Sequence, residues 1–256
     1  MPENDAERKS VPPMVVLVHG AWHGAWCWAA LQAELDRHGV ASIAIDLPGH
    51  GASTLPLSDM YGDARHVADV VKQVGRPVVL VGHSYGGAVI TEAAHILGGS
   101  DNSGLHPVEH LLYLAAFCLD EGETVMSIAT SPVGGPVLLG QAMLPGPEGT
   151  TVLDPDKAHA ALYASCSPEI SAAAVARLSP QPMVTFGQPV TGAPWKDIPS
   201  TYVVCERDEA VHPGHQRRMA ARCGHVHVFD TDHSPFVSAT NDVARIITDA
   251  MQGGSK

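Results

Sequence analysis

The chain has 256 residues, 45% apolar and 16% charged, which suits one large domain or a domain carrying an insertion. A chain of this length buries about 70–75% of its unfolded surface, so it needs neither disulfides nor a metal to hold a core. With 27 Asp and Glu against 15 Lys and Arg, the net charge of -12 argues against a nucleic-acid footprint.

From Met1 to Ser10 the charges are mixed, and the first apolar run, Met14–Val18, is too short for a signal core or a membrane span. The expectation is a cytoplasmic protein without membrane contact, with a loose tail through residue 13 and another from Gly253. Short, β-branched runs follow at Met14–Val18, Ala41–Ile45, Pro77–Val81, Leu111–Ala115, Thr201–Cys205 and His225–Phe229. Such runs suit strands buried on both faces of a parallel sheet. Between them, Trp26–His38, Ala64–Val74, Gly87–Leu97, His215–Arg222 and Asn241–Met251 carry helical periodicity. The repeated β-loop-α order predicts an α/β fold with a mostly parallel six-stranded sheet flanked by helices.

That alternation breaks between Cys118 and Ser200. Gly134-Gly135-Pro136 and Leu144-Pro145-Gly146-Pro147 are followed by helix-like pieces near Lys157–Cys166 and Ile170–Leu178. The stretch is too long for an ordinary loop. It predicts a mainly helical cap over residues 118–199, inserted into a core made of residues 1–117 and 200–256. The five cysteines (Cys27, Cys118, Cys166, Cys205, Cys223) are odd in number and scattered, which reads as reduced thiols rather than a disulfide framework.

The strongest chemical signal is Gly82-His83-Ser84-Tyr85-Gly86-Gly87, between a predicted strand and a predicted helix. Gly-x-Ser-x-Gly in that context is a nucleophile elbow, a tight turn that lifts the serine hydroxyl above the sheet. Acyl transfer at Ser84 also needs two backbone N–H donors where the oxyanion forms. Tyr85, the residue after the nucleophile, is one candidate; Ala21, in the glycine-rich loop His19–Gly24 after the first strand, is the other. His19 and His23 share an i, i+4 spacing, but they lie on a loop without the glutamate or helix of a zinc-protease motif, so no metal is expected.

A serine hydroxyl needs a base. His233 lies between the last strand and the last helix, so its loop opens on the same sheet edge as Ser84. The order Ser…acid…His then asks for an acid between them. Cys205-Glu206-Arg207-Asp208-Glu209 follows the penultimate strand, and Asp208 sits far enough past the strand end to turn inward. Asp120, after the strand Leu111–Ala115, is the rival; Asp232 adjoins His233 and is expected to point elsewhere.

These motifs, with His19–Trp28, Asp46–Gly51, Cys205–Val211 and Asp232-His233, resemble the α/β-hydrolase superfamily. Within it, the His-Gly-Ala-x-His-Gly-Ala-Trp-x-Trp opening is similar to the methyl esterase/hydroxynitrile lyase group and its bacterial relatives. The resemblance implies a Ser84–His233–Asp208 triad, Ala21 and Tyr85 as oxyanion donors, and a small cap. The lyases place Thr where this chain has Gly20, and a Lys where it has Ser234. An uncharged Ser234 cannot stabilise leaving cyanide, which favours the esterase branch. Pro48-Gly49-His50-Gly51 departs from the plant methyl esterases and looks like the common bacterial hydrolase loop.

The expected activity is cofactor-independent cleavage of a small, uncharged, moderately hydrophobic ester through an acyl-enzyme. A lyase or carbon–carbon hydrolase with the same triad, and a ligand receptor with vestigial hydrolysis, are the alternatives. Trp22, Leu138, Met143, Tyr163 and Trp195 are candidates for lining the substrate pocket, against the simpler reading that they form the cap's own core. The expected partner is the small-molecule ester, and a homodimer is allowed.

Overall fold

The computed structural model describes residues 11–99 and 107–253. The tail expected over residues 1–13 therefore lies outside the described residues up to position 10, and the C-terminal tail lies outside them after Gly253. In chain order the strands are β1 (Met14–Val18), β2 (Ser42–Ile45), β3 (Val78–His83), β4 (Val108–Leu114), β5 (Met143–Pro145), β6 (Thr150–Leu153), β7 (Gln181–Pro182), β8 (Ser200–Cys205) and β9 (His225–Phe229). Six of them form one sheet in the order β2-β1-β3-β4-β8-β9. Every neighbouring pair in it is parallel.

The physical reason is visible along the central strands. Val16 and Val18 of β1 and Val78 and Leu80 of β3 face one apolar cluster. Val15, Leu17, Val79 and Val81 alternate with them into a second cluster on the opposite face. A strand apolar on both faces is stable only when both faces are covered.

The helices of eight or more residues are α1 (Ala29–Arg37), α2 (Met60–Val74), α3 (Gly86–Gly98), α4 (Pro155–Leu162), α5 (Pro168–Val175), α6 (Pro213–Ala220) and α7 (Thr240–Gly253). Helices α2 and α3 cover the first face through residues such as Val67, Val71, Val89 and Ile90. Leu31 and Leu35 of α1 and Val243 and Ile247 of α7 cover the second. The six core strands and five core helices coincide with the runs read from the sequence, to within a few residues at their ends.

Between β4 and β8 the chain builds short helices and the three-stranded antiparallel sheet β5-β6-β7, which periodicity does not predict. Its strands are two to four residues long, too short to show an alternation. Helices α4 and α5 begin two residues earlier than their apolar pattern suggests. Each has proline in its first turn behind a capping side chain, Asp154 accepting from Asp156 N–H and Ser167 from Ile170 N–H. Among the described residues, no helix is long and apolar enough to cross a membrane.

Candidate active site

Ser84 sits at the turn from β3 into α3 with φ of 52°, in the left-handed region. A serine tolerates that strain only where its surroundings over-determine it, as at a nucleophile elbow. The turn packs directly on the strand β1 exit. A Cβ on Gly86 would lie 2.6 Å from the carbonyl oxygens of both Val18 and His19, so only glycine fits there. The same close approach brings the His19–Gly24 loop beside the serine.

Asp208 and His233 come together below that edge. His233 Nδ1–H donates to Asp208 Oδ2 at 2.7 Å, and both side chains are almost wholly buried. The other Asp208 oxygen accepts from the N–H groups of Ala210 and Val211, at 2.7 and 2.8 Å. Gln216 Nε2 on α6 donates to Asp208 Oδ2 at 2.7 Å. Four donors thus hold this carboxylate in one fixed orientation. With Nδ1 spent on Asp208, Nε2 is the ring nitrogen left to receive a proton from a hydroxyl.

The competing acids are placed elsewhere. Asp120 pairs with Lys196 at 2.7 Å on the surface. Glu206 pairs with Arg217. Asp232 is buried and accepts from Ser165 N–H at 2.7 Å, Ser238 Oγ at 2.8 Å and Ser234 N–H at 3.2 Å. It ties the His233 loop to the segment between β4 and β8, and it does not orient the imidazole.

The two candidate oxyanion donors flank the elbow. Among the described residues, no protein acceptor takes the N–H of Ala21 or of Tyr85. The Gly20–Ala21 peptide is aimed by its carbonyl end, which accepts His19 Nδ1–H at 2.8 Å and His23 N–H at 3.3 Å. Because the peptide is planar and trans, pinning that C=O points Ala21 N–H the opposite way. His19 keeps the needed tautomer because its Nε2 accepts from Leu47 N–H at 3.1 Å.

Four histidines surround this centre as neutral rings. Burial holds His19 and His83 well below the usual imidazole range and lowers His23 to about 4. His23 Nδ1–H donates to Ala21 O at 2.7 Å and Nε2 accepts from Tyr163 OH at 2.6 Å, so its nitrogens are consumed by protein groups. His83 Nε2–H donates to the carbonyl of His233 at 2.8 Å. His50, also lowered by burial, completes the set. Behind the elbow, Tyr85 OH donates to Asp63 Oδ2 at 2.7 Å. Burial pushes the Asp63 carboxyl up to about 7.

The pocket-lining candidates separate. Tyr163 is buried against His23, and Trp22 is buried with its indole Nε1–H donating to Thr151 Oγ1 at 3.0 Å. Leu138 and Met143 are partly buried against the main core, Leu138 beside the acid loop through its N–H to Glu209 Oε2 at 3.4 Å. Trp195 is anchored at its indole edge and over its ring. Its Nε1–H donates to Leu119 O at 2.9 Å, and Arg222 and Lys196 stand over its ring, none of them a triad or oxyanion residue. Gln216, His83 and Asp232 are the supporting residues that sequence reasoning missed as such. Gln216 and His83 lie six or fewer residues from a recognised motif, yet only their long-range partners reveal their roles.

A parallel α/β/α core, a strained serine at the β3–α3 turn and a buried Asp–His pair at the same sheet edge define an α/β hydrolase. The model of the alpha/beta hydrolase family matches residues 15–246, and the chain belongs to that family. It is 31% identical to alpha/beta hydrolase nvfD of Aspergillus novofumigatus, over 93% of this chain and 96% of that protein. Methylesterase 18 of Arabidopsis thaliana is 26% identical, over 92% and 95% of the two chains. The crystal structure of methylesterase MES16 from Arabidopsis superposes with a TM-score of 0.77 at 25% identity, covering 94% of this chain and 99% of that one. These relatives bear out the resemblance to the methyl esterase group read from the His19–Trp28 opening.

Proposed function

We propose that this carboxylic ester hydrolase cleaves a small, uncharged, moderately hydrophobic ester through an acyl-enzyme on Ser84. His233 Nε2 takes the Ser84 proton as Oγ attacks the ester carbonyl, and the oxyanion rests on the N–H groups of Ala21 and Tyr85. His233 then protonates the leaving alcohol and activates water to release the acid. Asp208 holds the productive tautomer and stabilises the imidazolium without taking the proton. Residues 118–199 act as the cap that selects the substrate.

The observation that carries this reading is the buried His233–Asp208 bond at 2.7 Å, on the sheet edge where Ser84 is held at φ 52°. The neutral histidines around the elbow favour an uncharged acyl group over an anionic one. Space beside the nucleophile supports hydrolysis over cyanohydrin cleavage. A Cβ at Gly20, where the lyases carry threonine, would stand 2.9 Å from Ser84 Cβ and from His83 Nδ1.

A panel of esters varied separately in acyl and alcohol parts, run with wild type and Ser84→Ala, tests the proposal. Wild type turns over small neutral esters and is labelled once by a serine-directed phosphonate, while Ser84→Ala loses both. Folded wild type that resists the phosphonate, or that cleaves a cyanohydrin and no ester, overturns it.

A further inference from the structure

Trp22 directly follows the Ala21 donor and has φ of 64°, a left-handed conformation that a bulky residue adopts only under external constraint. Its backbone and indole polar groups are all taken by Thr151, Ser179 and Gln181, in or beside the small antiparallel sheet. Trp22 N–H donates to Gln181 Oε1 at 3.3 Å, and Trp22 O accepts from Ser179 N–H at 2.8 Å. The indole Nε1–H donates to Thr151 Oγ1 and to Thr151 O, at 3.0 and 3.2 Å. Thr151 and Gln181 are register partners on β6 and β7. Gln181 is fully buried, and its Nε2 donates to Thr185 Oγ1 at 3.1 Å, which fixes the amide so that Oε1 faces Trp22. Phe186 then packs beside Trp22 and the donor residue Tyr85, its ring 5.7 Å from that of Trp22 and 6.0 Å from that of Tyr85.

We propose that the small antiparallel sheet is a clamp for the oxyanion hole, in which Gln181 and Thr151 act through Trp22 as positioning residues for Ala21 N–H. This rests on the acyl-transfer reading and deepens it. The carbonyl of Gly20 is pinned from the core side by His19, and the Ala21–Trp22 and Trp22–His23 peptides are pinned from the cap side by Gln181 and Ser179. Ala21 lies between two fixed peptide planes, so its N–H has one direction. Removing the Gln181 acceptor leaves the Ala21–Trp22 plane held only through Ala21 O by His23 Nδ1, at 2.7 Å, and lets Trp22 relax toward a negative φ.

The test compares wild type, Gln181→Leu, Thr151→Val and the acceptor-retaining Gln181→Glu. It measures kcat and KM on p-nitrophenyl acetate, affinity for an aryl trifluoromethyl ketone, and thermal melts. The ketone forms a hemiketal oxyanion on the serine and so reads the hole directly. Gln181→Leu and Thr151→Val should lose about 10- to 100-fold in kcat with KM nearly unchanged. Their ketone affinity should fall by the same factor, and Gln181→Glu should recover most of both. Phosphonate labelling of wild type keeps the two claims apart, since an unlabelled wild type sinks the acyl-enzyme reading itself. A labelled wild type whose folded Gln181→Leu and Thr151→Val variants keep kcat and ketone affinity within about twofold overturns the clamp alone. So does a loss confined to melting temperature or KM.

A different observation carries a second inference. Cys118, where the cap stretch begins, and Cys223, between α6 and β9, are far apart in sequence, yet their sulfurs stand 3.9 Å apart. Cys118 is buried and Cys223 is half-exposed. The hydrogen bond from Cys118 holds the Cys223 thiol below its usual range, and Arg222 adds its charge. We infer that these thiols form a redox site, with Cys223 the attacking group. The Cys223 thiolate displaces one thiolate from a low-molecular-weight disulfide such as glutathione disulfide. Cys118, losing its proton, then displaces the second, so two protein S–H groups become one S–S bond and the oxidant leaves as two thiols. Native protein treated with glutathione disulfide, then denatured and alkylated, should show two fewer alkylations than untreated protein and a non-reduced peptide pair joining the two cysteines. Cys223→Ser should show neither. Full alkylation after treatment, or a glutathione adduct that stays on Cys223, overturns the inference.

Discussion

Replacing Asp208 by asparagine changes one atom type and leaves the shape of the site intact. The side-chain orientation is not free. Ala210 and Val211 N–H groups, at 2.7 and 2.8 Å, both need an acceptor at the Oδ1 position, so the asparagine carbonyl must face them. Its NH2 then faces His233 Nδ1 and Gln216 Nε2, both donors to the native carboxylate at 2.7 Å. The imidazole can satisfy that NH2 only by moving its own proton to Nε2, the nitrogen that must accept the Ser84 proton. A triad locked in that tautomer loses about 10⁴ in kcat, or about 5 kcal/mol of transition-state stabilisation. Gln216 Nε2 keeps only its bond to Val211 O at 2.7 Å. The donor left facing a donor costs about 1–3 kcal/mol of stability, a fall in Tm of up to about 10 °C. The assay is kcat on p-nitrophenyl acetate beside a thermal melt. A folded Asp208→Asn variant that loses less than about tenfold, or whose loss lies wholly in KM, refutes the tautomer argument.

Asp120→Asn should leave kcat within about twofold of wild type, because its exposed pair with Lys196 is worth under about 1 kcal/mol; a triad-sized loss would make Asp120 the acid. Gly86→Ala forces a methyl to within 2.6 Å of two backbone carbonyl oxygens that cannot rotate away. Overpacking of this kind costs about 1–3 kcal/mol, so the melt should fall by several degrees and ester turnover with it, whereas an unchanged melt would contradict the close approach. For Asp63 the sign of the pH effect follows from its raised carboxyl, about 7 when folded against an ordinary 3.8. The folded chain binds the extra proton across that window, so this group costs stability as pH rises from about 4 to about 7. Asp63→Asn retains an acceptor for Tyr85 and removes the penalty. In urea unfolding its stability relative to wild type should therefore climb by about 1.4 kcal/mol per pH unit across the window and level off above it, while a pH-independent difference would refute the assignment.

The legibility of each feature follows from the range of the interactions that make it. The core strands are runs such as Val15–Val18 and Val78–Val81, buried on both faces, so their own composition declares them. Ser84, Asp208 and His233 were legible because each follows a strand, and strand ends in a parallel sheet share one edge. Gln216 was not, since the bond to Asp208 depends on α6 packing back beneath the acid loop. Nor does the sequence around Trp22, a candidate for the pocket wall, show that its polar groups are taken by Thr151, Ser179 and Gln181, more than 120 residues away. A separation of 105 residues likewise hid the pairing of Cys118 with Cys223. Trp195, apolar and in the cap segment, gave no local sign that Leu119 and Arg222 would claim it.

The central claim is a covalent intermediate on Ser84, and it can be weighed directly. Wild type mixed with excess p-nitrophenyl acetate and quenched in acid during turnover should show a burst of one nitrophenol per site. Peptide mass spectrometry should then find one acetyl group on the peptide containing Ser84, absent from Ser84→Ala. An acetyl group on any other residue in an active enzyme, or ester turnover retained by Ser84→Ala, would contradict the account.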